Sequence, residues 1–247
     1  MKIQQAIADL YAETGVTPPS MQRTIVRLSE LVAALNLTCL EMPGLTRDAA
    51  ARKLAERGGL MDEDGGERQS PLAGFLYAVG EDASIFIEES DPVSRRRFSV
   101  AHELGHYLLH FRPLLAHLSA QIGAPAEAMD AFPQAEIESD PDEQPDGQIL
   151  LPLAFEEALA LPPLAQMEME ANRFAAELLM PTALVEALAS RYSDHFSEDD
   201  LVWRMANELL VSRAALRWRL RSLGWLDSAP ARHNGLSHEN KGAGHGH

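Results

Sequence analysis

The sequence predicts an α+β fold with a small sheet, and three observations carry that prediction. Several segments place apolar residues at three- and four-residue spacing, the mark of amphipathic helices. Two short apolar runs, "GFLYAV" (74–79) and "SIFIEE" (84–89), are joined by "GEDA" and read as a hairpin. The segment "RRRFSVAHELGHYLLH" (95–110) sets two histidines one helical turn apart, with a glutamate directly after the first.

From the N-terminus, residues 3–12 and 21–35 read as helices by their apolar spacing, and 38–41 as a short strand. Residues 62–70, "DEDGGERQS", form a polar loop before the hairpin. Asp91 and Pro92 end the second hairpin strand and start the next helix, with Asp as N-cap and Pro at the first position, and that helix is expected to run to about His110. A second long helix, about 164–180, lies between Pro163 and Pro181. Residues 197–226 give two helices around "LLVSRAA", with Ser212 capping the second. The tail, 228–247, has almost no apolar residues and is expected to be disordered.

Composition narrows the partners. The 247 residues carry 21 Lys and Arg against 37 Asp and Glu, a net charge of −16. Between Pro113 and Asn172 there are twelve Asp and Glu and no Lys or Arg. An acidic chain binds phosphate backbones poorly, so direct DNA binding is the weaker alternative. The N-terminus has no apolar core of signal-peptide length, and the most apolar later stretch is broken by prolines and glutamates. Export and membrane insertion are therefore not expected. The single cysteine, Cys39, excludes an intramolecular disulfide and fits a reducing cytoplasm; its apolar neighbours in "NLTCLEM" predict a buried position.

The chemistry is concentrated at His102, Glu103 and His106. On a helical wheel His106 lies about 40° and Glu103 about 100° from His102, while Phe98, Ala101, Gly105, Leu108 and Leu109 fall on the opposite flank. Histidines at i and i+4 can hold one Zn²⁺, and the glutamate beside them can serve as base. Zn²⁺ lowers the pKa of its bound water to about 7, which supplies a nucleophile at neutral pH. The competing reading is a pair of surface histidines on a solvated helix face.

A third protein ligand is required. His110 lies about 12 Å along the helix from His102, too far to share a tetrahedral ion with it, and is better placed as an outer or helix-end residue. The metzincin spacing would need a histidine where this chain has Arg112. The segment "QMEMEANRFAAELLMP" offers two glutamates. Glu168 borders the apolar stripe of Leu164, Met167, Ala171, Phe174, Ala175 and Leu178, among the small neighbours a close approach needs. Glu170 falls on the far side with Gln166, Arg173 and Glu177, which reads as solvent. Glu168 is therefore favoured over Glu170, and Asn172 is placed to fix a ligand by a hydrogen bond.

At these motifs the chain resembles the ImmA/IrrE family of metallopeptidases. The resemblance rests on "RRRFSVAHELGHYLLH" and "EMEANRFAAELLMP", on the hairpin "GFLYAVGEDASIFIEES", and more loosely on "RTIVRLSELVAALNLTCLEMP". It covers roughly residues 20–112 and 165–226. It implies a gluzincin-like α+β (zincin-like) domain holding one zinc through His102, His106 and the glutamate of "EMEAN", with Glu103 as catalytic base. It also implies a helix-turn-helix repressor as substrate, cleaved in mobile-element induction or a DNA-damage response. The expected organisation is a peptidase domain over 1–190, a helix-turn-helix-like helical region over 191–227, and the tail. Zn²⁺ is the expected cofactor, with Mn²⁺ as an alternative.

Two further expectations concern the surroundings of the site. The acidic insertion, 119–163, departs from the family's spacing between the two motifs and is expected to be a mobile cover. Limited proteolysis should then cut first between Asp140 and Gly147; cuts confined to the C-terminal helices would contradict this. The strand 84–89 is expected to offer an edge for an extended substrate. The segment 201–226 holds five arginines and one glutamate. It reads either as a DNA contact or, preferably, as a bundle packed through Trp203, Leu216, Leu220 and Leu223.

Overall fold

The computed structural model describes residues 3–56, 70–79, 82–115 and 162–226. The acidic insertion apart from its last two residues, most of the polar loop 62–70, and the tail lie outside these residues. Within them the chain is a mixed α+β structure with one three-stranded sheet. The buried apolar residues form a single cluster, from Ala6 near the N-terminus to Leu220.

Helix α1 (Ile3–Thr14) buries Ala6 and Leu10 and ends at Gly15, whose φ of 66° is the left-handed geometry that favours glycine after a helix. The next helix is much shorter than its periodicity suggests: α2 spans Leu28–Ala34 rather than 21–35. Tertiary contacts override the pattern here. Ser20 and Arg23 exchange two backbone hydrogen bonds, Thr24 Oγ1 donates to Glu208 O at 2.8 Å, and Arg97 Nη2 donates to Val26 O at 3.0 Å. The backbone groups of Ser20, Arg23 and Val26 engaged in this way are not free to build a helical ladder.

The sheet has the order β1-β3-β2, with β1 (Thr38–Met42) parallel and β2 (Gly74–Val79) antiparallel to β3 (Asp82–Glu88). The hairpin forms as expected from its sequence, but β3 starts at Asp82, within the expected joint 80–83, and ends at Glu88. However, β3 is the central strand, hydrogen-bonded on both sides, so it cannot offer an edge to a substrate. The parallel pairing explains the correction, because a parallel partner arrives by a crossover that a local reading does not reveal. That crossover contains helix α3 (Arg47–Ala55), which the apolar pattern does not announce. Its signal was the cap: Thr46 Oγ1 accepts from Ala49 N at 3.1 Å, ahead of an alanine-rich turn. Cys39 is exposed on β1, not buried. A strand at the rim of a sheet leaves side chains uncovered even where their neighbours in sequence are apolar.

Helix α4 (Val93–His106) starts one residue later than expected: Pro92 is itself the N-cap and makes no side-chain cap bond. Asp91 instead lies 3.4 Å from Arg95 as an i,i+4 ion pair. Beyond His106 the helix widens into a π turn (Tyr107–Phe111) and continues to Leu115. Helix α5 (Leu164–Leu179) packs along α4 and starts at Pro163. Pro181 then caps helix α6 (Thr182–Tyr192), which the sequence reading passed over.

Helices α7 (Glu198–Leu209) and α8 (Arg213–Ser222) are joined by a short turn with Leu210 at a φ of 52°. Ser212 caps α8 as expected, its hydroxyl accepting from Ala215 N at 3.1 Å. Leu216 and Leu220 are buried as expected, and Leu223 packs partly against the core. Trp203 is 57% exposed and so is not part of that packing. Three of the five arginines are engaged within the chain. Arg204 lies over the rings of Tyr192 and Phe196, Arg217 pairs with Asp199, and Arg219 pairs with Glu177. Arg219 also donates to Met180 O, and Glu177 is thereby half-buried rather than a solvent group. These bonds tie α8 to the end of α5. No helix among the described residues is long and apolar enough to cross a membrane.

Candidate metal centre

The two motif segments meet closely because Gly105 of α4 carries no side chain where it crosses Ala171 and Phe174 of α5. A Cβ on Gly105 of α4 would lie 3.1 Å from Phe174 Cδ1 and 3.2 Å from Ala171 Cα on α5. The Ala171 contact is to backbone, which cannot turn away. Gly105→Ala should therefore force the helices apart and cost about 1–3 kcal/mol, as overpacking does. Thermal denaturation checks this, and an unchanged melting temperature would contradict it.

At that crossing the structure brings His102, His106 and Glu168 together. Their nearest nitrogen and oxygen atoms, one from each residue, lie within 4.8 Å of one another. The two Nε2 atoms are 3.0 Å apart, and each is 3.3 Å from one oxygen of Glu168. Both imidazoles are fully buried and the Glu168 side chain is 12% exposed. The motif's polar side is therefore covered, which removes the surface-histidine reading. Amphipathicity alone could not show this, because the covering elements come from elsewhere in the chain.

The outer nitrogens of both rings are also engaged. His102 Nδ1 donates to Asn172 Oδ1 at 2.9 Å, the contact expected of Asn172. His106 Nδ1 lies 3.1 Å from His110 Nδ1, and His110 Nε2 lies 3.2 Å from Glu170 Oε2. Glu170 is thus outside this group of three, though not the plain solvent residue its helical position suggests. The link from His110 to Glu170 was missed in the sequence; a polar residue at the end of an apolar run, "HYLLH", was its only signal.

Glu103 is fully buried beside this group, and neither of its carboxylate oxygens has a hydrogen-bond partner. Burial, and then the negative charge of Glu168, push its carboxyl well above the usual range. Burial also acts to raise the Glu168 carboxyl, but the His102 and His106 rings beside its oxygens outweigh it and hold the group well below that range. Burial lowers His106 to about 4.

These features fit a divalent cation. The donor set is two neutral imidazoles and a carboxylate, a combination that zinc accepts. With Nδ1 of His102 donating outward, its Nε2 presents a lone pair toward His106 and Glu168. Glu168 Oε1 has no hydrogen-bond partner, and with both oxygens of Glu103 it makes three buried oxygens without one. Such atoms are costly to bury unless something positive completes them.

Glu103 gives a pH-dependent prediction for the metal-free protein. Its folded pKa is raised above the unfolded value, so folding takes up a proton once pH exceeds about 4.5. Stability is lost with rising pH, by up to about 1.4 kcal/mol per pH unit while the folded group stays protonated. Glu103→Gln removes this term. As pH is raised above about 4.5, the melting temperature of the metal-free variant should rise relative to the parent, and a constant difference would contradict the assignment.

Two helices that deliver a buried His-His-Glu group, beside a small sheet, define a metallopeptidase-like domain. A family model described as the IrrE N-terminal-like domain, Peptidase_M78, matches residues 61–139 and 146–221. The chain belongs to that family. The unmatched residues between the two stretches lie at the centre of the acidic insertion. No curated protein matches the chain.

Proposed function

We propose that the chain is a zinc-dependent endopeptidase that cleaves a helix-turn-helix transcriptional repressor and so relieves repression. The observation that carries the peptidase reading is the convergence of His102, His106 and Glu168 next to Glu103, whose two buried oxygens are left unpaired. His102, His106 and Glu168 would hold the metal. When bound, zinc or manganese supplies Lewis acidity, activating water and polarising a carbonyl. Glu103, close by but outside the ligand group, takes the proton from the attacking water and passes it to the leaving amine. Asn172 keeps the His102 ring turned toward the ligand group, and burial excludes bulk water around Glu103.

Selectivity must come from outside the ligands, since an unselective peptidase would be toxic in a cytoplasm, where we place the protein. Arg95, Arg96 and Arg97 begin the motif helix. Arg96 pairs with Glu41 and Arg97 with Val26 O, so both are partly committed to the fold. With β3 central, an extended substrate would have to use the rim of β1 or β2. In this reading residues 1–190 form the zincin-like peptidase domain, and α7 and α8 a helix-turn-helix-like region over 191–227 that serves as a docking surface. The engagement of Arg204, Arg217 and Arg219 within the chain supports docking over DNA contact.

The test is co-incubation of the purified chain with the repressor encoded beside it, in zinc or manganese. A single cut in the repressor's linker or C-terminal part is expected. An intact repressor, together with specific operator binding by this chain alone, would favour the second reading: a DNA- or repressor-binding regulator whose metal site is not catalytic. Exposed Arg213 and Arg221 on α8 are what that reading has in its favour.

A further inference from the structure

His110 and Glu170 lie outside the candidate ligand group yet are joined to it. His110 is 4% exposed, on the π turn that follows α4. Its Nδ1 is 3.1 Å from His106 Nδ1 and its Nε2 is 3.2 Å from Glu170 Oε2. The other oxygen of Glu170 accepts from Gln166 Nε2 at 2.8 Å, which holds the carboxylate in place on α5. The chain of contacts therefore runs from α4 through the π turn to α5, on the side of the His106 ring away from Glu168. π turns within helices recur at functional sites because they re-aim the side chains they carry.

Counting protons fixes the direction of every bond in this chain. A cation held by His106 Nε2 takes that lone pair, so the ring proton sits on Nδ1. Nδ1 then donates, and His110 Nδ1 has to accept. The His110 proton is left on Nε2, where Glu170 accepts it. Each link has one possible donor and one possible acceptor, and the sequence ends on a carboxylate that can take a proton donor without any rearrangement. His102 has the shorter equivalent, in which Asn172 Oδ1 accepts directly.

We propose that His110 and Glu170 are positioning residues for His106: together they fix the orientation and tautomer of that ring for metal binding. The proposal rests on the metal reading above and not on hydrolysis. Partners of this kind set ligand basicity and ring orientation, and their loss costs about 10- to 100-fold in metal affinity.

The test measures zinc affinity by chelator competition on the full chain, for the parent, His110→Phe, Glu170→Ala and Glu170→Gln. Long-range ¹⁵N–¹H spectra of the zinc-loaded proteins report the histidine tautomers. His110→Phe and Glu170→Ala should each bind zinc about 10- to 100-fold more weakly. Glu170→Gln, which keeps an oxygen acceptor, should stay close to the parent. His110 should carry its proton on Nε2 in the parent and become a mixture in Glu170→Ala. Glu170 is partly exposed, so that variant spares the core if His110→Phe disturbs folding. Parent protein that binds no zinc would overturn the metal reading itself. Parent that binds zinc, with Glu170→Ala unchanged in affinity and in the His110 tautomer, would overturn the positioning role.

Discussion

Glu103→Gln should leave zinc bound at full occupancy and lower the rate of repressor cleavage by about 10²- to 10⁴-fold, the usual contribution of a positioned general base. The expectation follows from where the side chain sits. Glu103 is next to the ligands in sequence but outside the His102, His106 and Glu168 group in space, so its loss removes no donor. Gln keeps the length and the polarity, and lacks only the ability to take a proton. Metal content and cleavage have to be measured on the same preparation. A variant that loses both would make Glu103 a ligand or a folding determinant, and one that keeps both would leave the base unassigned.

His102→Ala should abolish zinc binding and cleavage together. It removes one of three donors and leaves Asn172 Oδ1 without the proton it accepts from the His102 ring. Glu168→Ala should act in the same way, because both imidazoles lie 3.3 Å from its oxygens. Glu170→Ala makes the contrast. At protein and zinc concentrations well above the dissociation constant it should still bind one zinc per chain, since Glu170 reaches the group of His102, His106 and Glu168 only through His110. If Glu168→Ala kept stoichiometric zinc while Glu170→Ala did not, the third ligand would be reassigned. Stoichiometry by elemental analysis decides between them.

The parts of the site that were legible in the sequence are those fixed by one helix at a time. The i,i+4 spacing of His102 and His106 needs only the helical period, and Asn172 lies one turn beyond Glu168 for the same reason. Glu168 was separable from Glu170 because the apolar stripe of α5 tells which side meets α4. The parts that were not legible depend on what arrives from elsewhere. The burial of Glu103 comes from neighbouring elements that no local pattern encodes. β3 reads as an edge until β1 pairs with it across a crossover. The helix expected from Met21 does not form before Leu28, because Thr24 and Val26 bond to α7 and to Arg97. Glu177 looks like a solvent residue on the wheel of α5, and only the fold brings Arg219 to it. Helix α3 was missed for a different reason: "RDAAARKLA" is rich in helix formers but has too few large apolar residues to show a period.

The zinc K-edge absorption spectrum of the zinc-loaded full chain measures the proposed coordination directly. Two imidazole nitrogens and carboxylate oxygen from the protein are expected, with one imidazole lost in His102→Ala and the carboxylate contribution lost in Glu168→Ala if any zinc remains. A parent spectrum with three imidazoles, or with no imidazole at all, would contradict a centre built from His102, His106 and Glu168.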